Sequence, residues 1–240
     1  MITILLMLLV SFNSYLISDS ELDRFIPGEI KNDSFYEAIY RLAKSPEIKT
    51  MLEIGSSSGD GSTEAFVKGM AENPACPTLF CMEISKPRFA QLKTRYAHHT
   101  NIKCYNVSSI ALEDFPAETE IRNFFNTVNS NLRMYGCERV LGWLRQDIEY
   151  VKDSQVPQDG IELIKQENNI QSFDMVLIDG SEFTGKAEFK HVYGAKYILL
   201  DDINAFKNYQ NYQTLRNDST YELVEENHLL RNGYAIFKRK

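Results

Sequence analysis

Glu53-Ile54-Gly55-Ser56-Ser57-Ser58-Gly59-Asp60-Gly61 joins an apolar run to a helical pattern. Residues 50–55 read as a strand, and residues 62–70 carry apolar side chains at helical spacing. Between them stand only small or polar residues. Glycine and serine let the backbone turn sharply and approach a ligand closely. The helix that follows offers backbone N–H groups with no partner inside the helix. A strand, a small-residue turn and a helix N-terminus in that order predict a ligand at the carboxyl end of a parallel strand.

The same alternation continues outward from this loop. Residues 78–84, 102–107, 173–179 and 195–201 read as further strands, and residues 86–97 as a helix with Phe89, Leu92 and Tyr96 on one face. Residues 221–224 and 233–237 form a closing pair of strands. Ahead of the loop, Asp33 or Ser34 caps a helix carrying Phe35, Ile39, Leu42 and Ala43, which Pro46 ends. Strands alternating with helices predict an α/β, doubly wound, mostly parallel sheet covered on both faces, with a C-terminal antiparallel hairpin.

Two stretches depart from that rhythm. Between the third and fourth strands, helical patterns over 120–131, 137–152 and 160–168 predict a helical insertion at about 115–172, with the only tryptophan, Trp143. Residues 1–17 are strongly apolar but shorter than the roughly 20 residues of a membrane span, with no Lys or Arg ahead of them. They are expected to pack on the domain or extend from it; membrane contact as an anchor or signal is the other reading. Residues 18–33 are polar, carry Pro27 and Gly28, and read as a linker, so the domain is placed at 34–240.

The chain has 240 residues, enough for one α/β domain with an insertion. With 26 Lys and Arg against 33 Asp and Glu, its net charge is −7, which argues against a nucleic-acid surface. Cys76, Cys81, Cys104 and Cys137 form no C-x-x-C pair and read as free thiols in a reducing, cytoplasmic compartment.

The loop admits three assignments. Gly55-x-Ser57-x-Gly59 fits a hydrolase nucleophile elbow, with Asp179 or Asp201 and then His228 in hydrolase order. That elbow follows a central strand with several strands before it, whereas here one clear helix precedes. The spacing of Gly55, Gly59 and Gly61 also fits a nicotinamide-dependent short-chain dehydrogenase. No Tyr-x-x-x-Lys follows; Tyr193-Gly-Ala-Lys196 is one residue short. Third, Glu53-x-Gly55-x-Ser57-x-Gly59 resembles the first motif of the class I, Rossmann-like methyltransferases, with Ser57 in place of the middle glycine.

Glu83, which ends the second strand thirty residues after Glu53, extends this resemblance. An acid at that point accepts hydrogen bonds from ribose hydroxyls in dinucleotide folds. The resemblance implies S-adenosylmethionine as cofactor, held by Glu53, Gly55, Ser56, Ser57, Gly59 and Ser62 of the loop, by Glu83 at the ribose, and by Ile84 or Met82 against the adenine. Asn106-Val107-Ser108 stands at the family's adenine-contact position, without the usual acid. Phe173 to Asp179 resembles the family's fourth strand, whose terminal acid faces cofactor and substrate.

Methyl transfer needs an aligned acceptor and, for a hydroxyl, a place for its proton. Asp179, Asp202 and His191 are the catalytic candidates; the acceptor is expected to be a small-molecule or sugar hydroxyl. Some O-methyltransferases of the catechol and macrolide-sugar types hold Mg²⁺ on an acid after the fourth strand and an acid pair after the fifth, where it orients two substrate oxygens. Asp179, Asp201 and Asp202 stand at those places, and hard oxygen ligands suit that ion. In the alternative reading, Asp201-Asp202 ends a strand and caps the next helix. Phe206, Tyr209 and Tyr212 are expected to pack rather than to cage a substrate. A cofactor-binding or interaction module without transfer activity is the other functional class the motifs allow.

Overall fold

The structure is a computed structural model that describes residues 21–240. The apolar stretch 1–17 lies outside the described residues. Among those described, no helix is long and apolar enough to cross a membrane.

Helix α1 (Ser34–Ala43) starts at Asp33, whose carboxylate accepts the Tyr36 N–H at 2.9 Å, and buries Phe35, Ala38, Ile39 and Ala43. Strand β1 (Thr50–Ile54) leads through the glycine-serine loop into α2 (Ser62–Ala71). Then follow β2 (Thr78–Met82), α3 (Lys86–Arg95) and β3 (Ile102–Tyr105). Helices α4 (Glu118–Thr127), α5 (Cys137–Ser154) and α6 (Gly160–Asn168) lead to β4 (Met175–Ile178), α7 (Gly185–Val192), β5 (Tyr197–Asp201) and α8 (Phe206–Arg216). Strands β6 (Tyr221–Asn227) and β7 (Tyr234–Arg239) close the chain.

The seven strands lie in the order β3-β2-β1-β4-β5-β7-β6. All neighbouring pairs from β3 to β5 are parallel, and β7 runs antiparallel to both β5 and β6. The first five strands carry near-continuous apolar runs because helices cover both faces. On one face α1, α2 and α3 pack Phe35, Ile39, Phe66 and Leu92 against Met51, Leu79 and Leu177. On the other, Ile161, Ile164, Phe189 and Leu215 pack against Leu52, Phe80, Val176 and Ile198.

The expected insertion divides in two. Helix α6 packs Ile161 and Ile164 into the second face and serves as the crossover from β3 to β4. Only α4 and α5 stand apart, on their own cluster of Ile121, Val140, Leu141 and Leu144 with Phe183 from the loop after β4. Periodicity identified all three helices but could not tell which sheet face, or which other helix, each one buries against.

The sheet reverses its winding between β1 and β4, and the loops after these strands part there. Gly55 (φ +89°) makes the turn: a Cβ on it would lie 2.1 Å from the Asp179 carbonyl oxygen. Residues 22–30, read as linker from sequence, fold back over the loop. At Gly28 a Cβ would lie 2.6 Å from Gly61 Cα, so the two backbones touch. Asp23 ties this strap down, accepting from Ser85 Oγ at 2.8 Å and from the Tyr150 hydroxyl of α5 at 2.6 Å.

Candidate active site

A cavity of about 350 Å³ opens at this switch point, within the size range of small-molecule sites. Its walls come from the strap, the loop after β1, the ends of β2 and β3, the α5 face carrying Asp147 and Tyr150, the loop after β4, and Asp202 and Lys207. Of the residues named from sequence, Gly55, Ser56, Ser57, Ser62, Glu83, Ile84, Ser108, Asp179 and Asp202 border it.

Glu53 lies behind the loop rather than in the cavity wall. Its fully buried carboxylate accepts from Ser56 Oγ at 2.6 Å, Ser62 Oγ at 2.6 Å and Thr63 Oγ1 at 2.7 Å. Burial pushes its pKa up, and these three hydroxyls oppose that shift. Ser56 of the motif, with Ser62 and Thr63 of α2, thus folds the loop around a buried acid. Ser57, at the family's glycine position, takes the left-handed conformation a glycine would favour, with φ +49°.

Glu83 ends β2 nearly buried, and its Oε1 accepts the Ser85 N–H at 2.7 Å. Burial raises its pKa, while that N–H and the nearby Arg88 charge pull it down. Asn106 donates to the carbonyls of Glu83 and Ile84 at 2.8 and 2.9 Å, so it shapes the end of β2. Ser108 Oγ donates to the Ile110 carbonyl at 2.8 Å.

His191 sits outside the cavity wall, on α7, with Nδ1 3.0 Å from Glu162 Oε1. His228 lies in the β6–β7 connection, Nδ1 3.1 Å from Asn204 Oδ1. Phe206 and Tyr209 pack edge-on against Phe124 of α4 at 5.3 and 5.6 Å, and Tyr212 donates to Glu226 at 2.7 Å.

Asp179, Asp201 and Asp202 do converge, each placing an oxygen within 4.8 Å of the others. Asp202 carries φ +55°, a conformation Asp tolerates better than most residues. The charge between the carboxylates belongs to the protein. Lys207 Nζ lies 2.8 Å from Asp179 Oδ1 and 2.7 Å from Asp202 Oδ2, on a side chain only 8% exposed. Arg231 Nη2 lies 3.0 Å from Asp201 Oδ1. Burial pushes Asp179 well up, with Lys207 opposing; burial also acts to raise Asp202, but Lys207 carries it below the usual carboxylate range. Mg²⁺ needs these same oxygens at about 2.0–2.1 Å in an octahedron. With the ammonium bonded to two of them, the three residues do not fit a divalent metal.

Sequence reading missed Lys207, Asp147 and Glu182's surroundings. Lys207 is the second residue of an aromatic helix start. Its one sequence signal is a cation five residues after an acid pair. Asp147 lies on α5 and accepts from Ser181 Oγ of the loop after β4. Burial lifts Asp147 to about 6, against that hydrogen bond, and lifts Glu182 to about 7, against the Lys207 charge.

The sheet order, the switch-point cavity and the C-terminal antiparallel strands define a Rossmann-like methyltransferase fold. No family model matches the sequence, and no curated protein matches it. Solved structures do share the fold. One is the O-methyltransferase from Bacillus cereus in complex with SAH, at TM-score 0.53 and 11% identity over 89% of this chain and 84% of that one. A methyltransferase from Geobacter sulfurreducens aligns at TM-score 0.52 and 9% identity, covering 88% and 82%. The SAH-bound Podospora anserina methyltransferase PaMTH1 aligns at 0.50 and 12%, covering 86% and 78%.

Proposed function

We propose that this chain is an S-adenosylmethionine-dependent methyltransferase acting on a hydroxyl of a small molecule or sugar. The observation that carries this reading is one continuous cavity bordered by the glycine-serine loop, Glu83 and Asp179. Its walls are also acidic: seven carboxylic residues border it against Arg88 and Lys207. A negative cleft favours a ligand with the net single positive charge of a sulfonium whose ammonium and carboxylate cancel.

Glu83 would accept hydrogen bonds from the ribose hydroxyls, Ile84 and Met82 would line the adenine, and the loop amides would meet the amino-acid part of the cofactor. When bound, the cofactor would supply an electrophilic methyl group to the acceptor oxygen. The chain's residues align the acceptor, exclude water and take its proton. Asp147 is suited to take it: it borders the cavity, and its pKa of about 6 leaves it ionised at neutral pH yet basic enough to accept. Helix α5 and residues 180–184 form the acceptor end, and the strap over residues 22–30 closes the cofactor end.

Calorimetry with S-adenosylhomocysteine tests the cofactor assignment, and methyl-transfer assays on hydroxyl acceptors test the chemistry. Micromolar binding with turnover is expected. Binding without turnover on any acceptor points to a cofactor-binding module, and no binding removes the reading.

A further inference from the structure

We propose that the Lys207 ammonium is the site's built-in cation, standing between Asp179 and Asp202 where a divalent metal would sit, so that the site excludes metal and offers an acceptor a single hydrogen-bond donor. The part concerning the acceptor rests on the methyltransferase reading above; the exclusion of metal stands on the geometry alone.

The spacing of the three acids is that of a metal cluster. Acidic clusters often stay empty of metal, and what decides the matter here is a second observation. Lys207 Nζ reaches Asp179 and Asp202 at 2.8 and 2.7 Å, lengths proper to charge-assisted hydrogen bonds. The third acid, Asp201, is occupied by Arg231 at 3.0 Å. Lys207 and Arg231 already occupy an oxygen on each of the three acids, and Arg231 also pairs with Asp33. A divalent ion on the same oxygens would touch Nζ.

The lysine is held in place by its surroundings. Its backbone N–H donates to Glu182 Oε1 at 3.1 Å. The next residue, Asn208, donates to the carbonyls of Ile178 and Asp201 at 3.0 and 2.7 Å, which ties the first turn of α8 to the ends of both β4 and β5. Leaving the carboxylates would therefore mean unseating a buried side chain from a fixed helix start.

An ammonium has three hydrogens. Asp179 and Asp202 take two, and Lys207 borders the cavity, which leaves one for a ligand there. A metal ion chelates two neighbouring oxygens of a catechol-like substrate. One N–H binds one oxygen. The acceptor class that follows is a molecule with a single reactive hydroxyl, with no requirement for a vicinal diol.

Manganese uptake by the full chain tests this, followed by the paramagnetic resonance signal of free Mn²⁺. The wild-type protein is expected to take up none at millimolar Mn²⁺. Lys207→Met, which keeps the side-chain bulk, and Lys207→Ala are expected to gain one site per chain, at least about tenfold tighter than any wild-type uptake. Stoichiometric uptake by the wild type that disappears in Asp202→Asn overturns the proposal, and that measurement needs no lysine variant to fold. A folded Lys207→Met or Lys207→Ala that takes up no Mn²⁺ overturns it as well. S-adenosylhomocysteine binding, measured on the same wild-type sample, reports on the cofactor reading independently.

Discussion

Glu83 carries the ribose assignment. Glu83→Gln keeps the shape of the side chain and removes its charge, so the Ser85 N–H keeps an acceptor. Losing a charged acceptor for two hydroxyls is expected to weaken S-adenosylhomocysteine binding about ten- to hundredfold, measured by calorimetry, with little change in thermal stability. Unchanged affinity would remove the ribose role. Asp147 governs the expected pH response. Transfer should rise with pH about a midpoint near 6, and Asp147→Asn should abolish that rise and slow turnover by about 10²–10⁴-fold. The stability effect has the opposite sense. Asp147 and Glu182 have pKa values raised above their unfolded values of 3.8 and 4.5, so the folded chain binds more protons between about pH 4 and 7. Their contribution to stability is greatest at the acid end of that window and falls as pH rises through it. Urea titrations of the wild type and Asp147→Asn should converge near pH 4 and diverge above 6, with the asparagine variant the more stable.

At the scale of elements, α8 shows how a helix can be buried without being apolar. Its inward residues include Asn208, Asn211, Tyr212 and Leu215, at helical spacing. Asn211 donates to the Gly185 carbonyl and to Asn208 Oδ1, both at 2.8 Å, and Asn208 donates onward to β4 and β5. Asn208→Ala removes both onward donors and leaves a small void. Destabilisation of about 2–4 kcal/mol is expected, read from denaturant midpoints. A loss below about half a kcal/mol would mean water replaces the amide without cost. This polar face explains why Phe206, Tyr209 and Tyr212 were readable as packing residues while Lys207 was not. Its buried neighbours are amides, and the apolar pattern that reveals most inward positions is missing here.

Across the whole molecule, the strap joins parts that are far apart in sequence. Asp23 accepts from Ser85 on the β2 side and from Tyr150 on α5, so one carboxylate bridges the end of β2 to α5. Tyr150→Phe deletes the α5 half of that bridge. The expected result is a several-fold faster release of S-adenosylhomocysteine in stopped-flow measurements, with the fold intact. An unchanged release rate would show that the strap holds without the Tyr150 bond, through contacts that include Ser85 on Asp23 and Arg88 Nε on the Arg24 carbonyl.

The sequence by itself determined the α/β class, the strand and helix order, and the glycine-serine loop between β1 and α2. Those features depend on local periodicity and on residues with restricted or unusual backbone freedom, both of which are written in neighbouring positions. It also placed Glu83 and Asp179 at strand ends, because strand ends are counted along the chain. The tertiary structure decided which groups meet. It set Glu53 behind the loop with three hydroxyls, brought residues 22–30 over the cavity, put α6 on the sheet and α4–α5 apart from it, and left His191 outside the cavity wall. Above all, it placed Lys207 between Asp179 and Asp202, 28 and 5 residues away in sequence. An acid triad reads as a metal site from sequence because charge is visible there; the cation that balances it depends on a through-space contact that no local pattern encodes.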